Sequence, residues 1–416
     1  MDVDMADTSR SAFPLPRWAG RCALLVVGLV AGLLLAELAL RVIGLGHSRP
    51  AVFHPYRGIA SQPHAVFDYA GEGRSQTIQF NSHGFRDINR SPAKPSGVYR
   101  IAVLGDSYIE APQVAVADRV TEQLEAELNR RAVLAPLQVE VLNFGFSAYG
   151  TMQELQVLKH DVWQFHPDLV ILAFLTGNDV QNNCRELQDE KNRPYLELRA
   201  GEFQESFPYS RGADGVAGQG RRASWWPESR LLGLWNKIRY QRLMLAKRQA
   251  EASRYRTPDG PDARGIEAGL DLGIYVPPSE PAWEHGWQIT EELLRRFHQE
   301  CLAHDTDWLL VVLSNGVQTH PDRELRETFC RAMGQSTLFY PEERLQETAL
   351  RDGYRILCLA PRMCEIAERD RVLLHGFDNM QPGIGHWNEQ GHRVAARLIA
   401  DSLQGSSTTV GQRSGE

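Results

Sequence analysis

The chain has 416 residues, enough for one large domain with insertions or for two small ones. Its 43% hydrophobic and 23% charged residues are ordinary for a globular protein. A formal net charge of −7 argues against nucleic acid as the main partner.

Cys22 to Ala36 is an uncharged apolar run, and apolar character continues through Leu38, Leu40, Val42 and Ile43. Extended to Ile43, the stretch reaches the roughly 20 residues of a membrane span. It then includes Glu37 and Arg41, four apart on one helical face and able to pair. Arg10, Arg17 and Arg21 precede it, so the positive-inside rule makes 1–21 a cytoplasmic tail and 22–44 a single-pass anchor. The remainder is then periplasmic or otherwise extracytoplasmic. A cleaved signal peptide is the competing reading, but Leu34 and Leu38 sit where a cleavage site needs small residues; a buried core helix is the third, disfavoured by the Pro-rich segment that follows.

Residues 45–97 read as a β-rich connecting extension. Its strand-like pieces are Ala65–Tyr69 and Gln76–Phe80, followed by a turn at Asn81-Ser82-His83-Gly84. From Val98 the pattern alternates. Strand Tyr99–Leu104 is followed by helix Asp118–Arg131, with Val120, Leu124 and Leu128 on one face. Strand Gln138–Asn143 precedes a helix opening at Thr151, where Thr151 and Glu154 form a capping box. That helix stops before Pro167, and strand Leu169–Leu175 is apolar on both faces, as a central parallel strand should be.

The alternation breaks over 181–286, an insertion containing Trp225, Trp226 and Trp235 and a helix capped by Ser229. It reads as a lid, a sugar-stacking platform, a membrane-surface patch, or simply a helix packed on the core. Arg254–Gly273 reads as a loop. Regular elements resume with helix Gln288–Ala303, strand Trp308–Leu313, a helix near Glu342–Arg351, strand Tyr354–Leu359 and helix Asn388–Leu403. Residues 405–416 read as a disordered tail. The fold expected is α/β, a flavodoxin-like three-layer αβα sandwich with about five parallel strands over 98–404, plus the insertion and the N-terminal helix. Beyond the anchor run the cysteines are Cys184, Cys301, Cys330, Cys358 and Cys364, an odd number, so at least one thiol is free. No Cys-x-x-Cys or His-x-x-x-His spacing points to a metal, and neither metal nor other cofactor is expected.

Four polar landmarks stand at strand ends or in a late loop, where ligands of an open parallel sheet sit. They are Gly105-Asp106-Ser107, Gly145 in Asn-Phe-Gly, Asn178 in Thr-Gly-Asn-Asp and His386 in Gly-His-Trp-Asn. A hydroxyl needs a base to become a nucleophile, and an imidazole is the natural base near neutral pH. His392 is a rival for that role, one turn into the last helix with Glu389 three residues before it.

On these blocks the chain resembles the SGNH/GDSL hydrolase superfamily, over roughly Val98–Asp179 and Gly385–Leu403. The resemblance selects His386 over His392. It implies Ser107 as nucleophile, and an oxyanion hole from the N–H of Ser107, the N–H of Gly145 and the amide of Asn178. Asp106 is structural in that pattern. Two departures stand out. Tyr108 follows Ser107 where the family's name motif has Leu, and the family's Asp two or three residues before the histidine is replaced by Ile384 and Gly383. Asp378 is the nearest upstream carboxylate, leaving either a Ser107–His386–Asp378 triad or a Ser–His dyad. The resemblance implies a membrane-anchored serine esterase acting on an O-acyl ester, of a glycan for example. The alternatives are an O-acyltransferase on an envelope glycan and a non-catalytic binding or assembly protein.

Overall fold

Alternating apolar strands from Val98 onward build one parallel sheet whose strand ends hold the polar landmarks. The computed structural model describes residues 17–43, 51–207, 229–235, 238, 239, 242, 272–380 and 382–410. They fall into two compact units, one of 1–48 with 226–240 and one of the remainder.

In the first unit a single helix, α1 (Arg17–Val42), carries the apolar run. Among the described residues it is the one helix long and apolar enough to cross a membrane. Glu37 pairs with Arg41 at 2.7 Å, as their four-residue spacing requires. The Glu37 carboxylate also accepts from the Ser229 hydroxyl and from the N–H groups of Arg230 and Leu231, at 2.9–3.0 Å. Ser229 Oγ in turn accepts from Leu232 N–H, capping the helical residues 230–235. Trp235 is 62% exposed. Trp225 and Trp226 lie outside the described residues, as does most of the loop expected at Arg254–Gly273. Leu272–Tyr275 at its end is a buried helical turn rather than loop.

The second unit begins with two hairpins, β1 (Ala51–His54) with β2 (Gly58–Ser61), and β3 (Val66–Tyr69) with β4 (Gln76–Gln79). The turn after β4 is fixed by Asn81, whose side-chain oxygen accepts from His83 and Phe85 N–H. The sheet strands are β5 (Val98–Gly105), β6 (Gln138–Gly145), β7 (Leu169–Phe174), β10 (Asp307–Val312) and β11 (Arg355–Cys358), in the spatial order β11-β10-β7-β5-β6, all parallel. This is the flavodoxin-like order, with its topological switch point between β5 and β7. All six residues of β7 are buried.

Alternate residues of these strands enter two separate cores. Ala102, Leu104, Leu172 and Phe174 pack with Leu155 of α4 (Thr151–Val157) and with Leu293 and Phe297 of α6 (Pro281–Ala303). Ile101, Val103, Ile171 and Ala173 pack with Leu124 and Leu128 of α3 (Val120–Arg130) and Ile399 of α10 (Glu389–Val410). A period of two in the strands thus produces three layers, with each fully buried leucine contributing about 2 kcal/mol.

Several local expectations are corrected. Thr151 is the first helical residue and Gly150 the cap, so Gln153, not Glu154, reaches back to the Gly150 N–H at 3.3 Å. Glu154 is buried instead, and burial pushes its carboxyl well up. The insertion contributes a hairpin, β8 (Tyr195–Arg199) with β9 (Glu202–Ser206), and α6 starts at Pro281, ahead of Gln288. Helices α7 (Arg323–Ala332) and α9 (Leu359–Asp370) flank α8 (Tyr340–Asp352) and were not expected. The last helix runs to Val410, beyond the expected start of the tail at 405.

Candidate active site

The end of β5 turns abruptly into the four-residue helix α2 (Ser107–Glu110), with Asp106 as its cap. Asp106 accepts from the Tyr108 N–H and from the Asn178 amide, both at 2.8 Å. It is wholly buried, and burial pushes its carboxyl up despite those two donors. Its place is therefore structural. One carboxylate holds the start of α2 to Asn178, the cap of α5 (Asp179–Asn183), across the switch point.

Ser107 thereby becomes the first residue of α2, where a backbone N–H has no acceptor within the helix. Its hydroxyl lies 2.8 Å from His386 Nε2, across 279 residues of sequence. His386 Nδ1 lies 2.5 Å from a carboxylate, and that carboxylate is Glu72. The second Glu72 oxygen accepts the His386 backbone N–H at 2.8 Å. A carboxylate only accepts, so Nδ1 carries the ring proton and Nε2 presents its lone pair to the Ser107 hydroxyl. Asp378 is exposed, and the partner of Nδ1 is Glu72, so the carboxylate expected at Asp378 is supplied by the extension instead.

Glu72 sits between Gly71 and Gly73 in the turn joining β3 to β4. Burial raises its carboxyl, but the facing His386 more than offsets this through charge and hydrogen bonds, leaving it below the ordinary carboxylate range. Gly385 makes room for it. At φ +95°, a Cβ there would fall 2.0 Å from the Glu72 oxygen. Sequence reasoning missed Glu72 because nothing local marks it. The available signal was indirect, an upstream carboxylate missing before His386 and a lone acid in a Gly-Glu-Gly turn.

A second histidine holds the loop. His375 is fully buried, donating from Nδ1 to the Gly385 carbonyl at 2.8 Å and facing Ser314 Oγ from Nε2 at 2.9 Å. Ser314 also accepts from Trp387 Nε1 at 2.9 Å. Burial lowers His375 to about 4, so it stays a neutral, fixed tautomer at neutral pH. The Tyr108 hydroxyl donates to the same Gly385 carbonyl at 3.1 Å, and this is what tyrosine does in the place of leucine. His392 is buried in α10, with its basicity lowered by burial to about 3, and it is His386 that meets Ser107.

The oxyanion donors divide. Asn178 spends one amide hydrogen on Asp106 and keeps the other. Gly145 does not fit the expected part, since its N–H donates to Asn143 Oδ1 at 2.9 Å. It is glycine for a packing reason. A Cβ would fall 2.4 Å from Glu110 N and 2.6 Å from Ile109, so any side chain would push α2 off the sheet. After β6 the chain passes through Ala148 at φ +67°, a left-handed position whose carbonyl is held by the buried Arg193 at 2.8 Å. Among the described residues no cluster of three or more His, Cys, Asp or Glu could hold a metal.

No family model matches the chain, and no curated protein does. Among solved structures it is similar to an acetyl xylan esterase, AlAXEase, at 10% identity and a TM-score of 0.35, covering 73% of this chain and 98% of that one. It is similar to a putative lipolytic protein of the G-D-S-L family from Desulfitobacterium hafniense DCB-2, at 9% identity and a TM-score of 0.32, covering 73% and 98%. A third is the lipase/acylhydrolase from Enterococcus faecalis, at 11% identity and a TM-score of 0.33, covering 74% and 96%. Likeness at this level carries no weight for activity, which has to rest on the geometry around Ser107.

Proposed function

We propose that the protein is a serine esterase of the SGNH type that cleaves an O-acyl ester through an acyl-enzyme on Ser107. One observation carries the reading, the unbroken chain Ser107 Oγ, His386 Nε2, His386 Nδ1, Glu72 at 2.8 and 2.5 Å. His386 takes the hydroxyl proton as Ser107 attacks the ester carbonyl, and Glu72 stabilises the imidazolium that forms. The negative charge on the tetrahedral oxygen falls to the Ser107 N–H and the free Asn178 hydrogen. His386 returns its proton to the leaving alcohol, then activates water to release the acid. With a sugar hydroxyl in place of that water, the same site transfers the acyl group to a glycan.

The helix α1, with arginines at its start, supports a site held outside the cytoplasmic membrane by an uncleaved anchor. The mass of the membrane-extracted protein separates this from a cleaved signal sequence. The activity itself is tested with a fluorophosphonate probe. Labelling is expected on Ser107 and is expected to vanish in Ser107→Ala; a folded, unlabelled wild-type protein overturns the esterase reading in favour of a binding role. Release of p-nitrophenol from a short-chain ester, with and without a glycan acceptor, distinguishes hydrolysis from transfer.

A further inference from the structure

The carboxylate on His386 comes from a short turn outside the sheet, so something must hold that turn in register with the histidine loop. The Asn379 side chain is placed to do so. Its Oδ1 accepts the Gly73 N–H at 2.9 Å, and its Nδ2 donates to the Gly71 carbonyl at 2.9 Å and the Gly73 carbonyl at 3.0 Å. All three bonds go to the two residues flanking Glu72, and none to Glu72 itself. A primary amide suits this task because it donates and accepts at once. Asn379 belongs to the segment between His375 and His386, whose ends are tied by the Gly376 N–H to the His386 carbonyl at 2.9 Å and the Gly383 N–H to the His375 carbonyl at 3.0 Å. The histidine loop therefore grips the turn that delivers its own acid.

The other side of the turn is gripped by the core. Arg74 N–H donates to the Gln113 carbonyl at 2.9 Å, and the Gln76 amide donates to the carbonyls of Pro112 and Val114 at 2.8 and 2.7 Å. Gly73, at φ +74°, has no room for a side chain, because a Cβ would meet the Gln113 carbonyl at 2.7 Å and the Phe377 ring at 3.1 Å. Those contacts fix where the turn lies on the core. Phe377 packs on it from the loop that carries His386, and the Asn379 side chain adds the hydrogen bonds from that loop to the backbone on both sides of Glu72.

We infer that Asn379 is a positioning residue for the reaction, a clamp that keeps Glu72 on His386 Nδ1. This rests on the esterase reading above. Asn379 is exposed, so water competes for its hydrogen bonds and the expected effect is moderate.

The test is a double-mutant cycle on the full-length, detergent-solubilised protein, with p-nitrophenyl acetate as substrate. Asn379→Ala is expected to lower kcat about tenfold through displacement of the carboxylate, with KM within about twofold. In a Glu72→Gln background the same change is expected to add less than about twofold, because its target is already gone. Asn379→Asp keeps the acceptor for the Gly73 N–H but sets a carboxylate oxygen against the Gly71 and Gly73 carbonyls, so its loss should be at least that of Asn379→Ala; it also serves if the alanine variant folds poorly. A merely structural asparagine would give the same loss in both backgrounds, and that result overturns the inference, as does an unchanged kcat in Asn379→Ala. Either outcome in an active wild-type enzyme leaves the esterase reading standing. An inactive wild-type protein with no labelling of Ser107 sinks that reading instead.

Discussion

Two carboxylates flank the Ser107–His386 pair, and their surroundings drive them in opposite directions. Asp106, at the strand ends, is sealed in the sheet and held by neutral donors, and burial pushes its carboxyl up. Glu72, in the hairpin turn, is also largely buried, yet the facing imidazole pulls its carboxyl down. Burial is common to both, and what differs is the neighbour. A carboxylate beside a group that becomes cationic during the reaction stabilises that charge. One beside an amide and a backbone N–H can only hold geometry.

The sharpest way to break this comparison is to neutralise each candidate acid. Glu72→Gln is expected to lower kcat by 10²- to 10⁴-fold, in line with the loss when a triad carboxylate becomes an amide. Asp378→Asn is expected to stay within about twofold, and the reverse ranking would return the acid role to Asp378. The pH profile adds a signed check. Without the Glu72 charge the imidazolium is less favoured, so the residual activity of Glu72→Gln should persist to lower pH than that of the wild type. For stability the sign is that of a depressed carboxyl. The Glu72 contribution is present above pH 4.5, its ordinary value, and is lost as pH falls through its lower folded value. Melting curves of wild type and Glu72→Gln should converge on acidification.

Asn178 comes next in size. Asn178→Ala is expected to cost 10²- to 10³-fold in kcat, about 3 kcal/mol of oxyanion stabilisation, with KM little changed. An equal fall in thermal stability with unaltered kcat would make it only the partner of Asp106. At Gly145 the effect is expected on stability. Gly145→Ala should cost about 1–3 kcal/mol by denaturant unfolding, because its Cβ meets α2 rather than an oxyanion.

The sheet was legible in the sequence because it depends on short-range pattern, whereas the Ser107–His386 pairing, across 279 residues, was legible only through the resemblance of its motif blocks. Strands such as Leu169–Phe174 are continuous apolar runs, and polar residues at their ends have few places to go. Glu72 was not legible, since it lies outside the motif blocks and the hairpin between Val66 and Gln79 resembles any surface turn. The occupation of the Gly145 N–H turned on one side-chain rotamer of Asn143. Helix α9 escaped notice because it follows β11 with no intervening residue, so Leu359 reads as the end of a strand. Helix α7 was missed although its signal was present, since Leu325, Phe329 and Met333 recur at helical spacing and pack half-buried on the core behind the Asp322 cap.

The hairpin turn bearing Glu72 has a practical corollary for anyone who wants a version of this protein without α1. The obvious place to trim the gene is Val98, where the repeating strand–helix pattern starts. A polypeptide begun there would keep the alcohol and the imidazole but leave ring nitrogen Nδ1 bare. Starting just ahead of Ala51 instead omits the apolar helix Arg17–Val42 and keeps Glu72, His386 and Ser107 together.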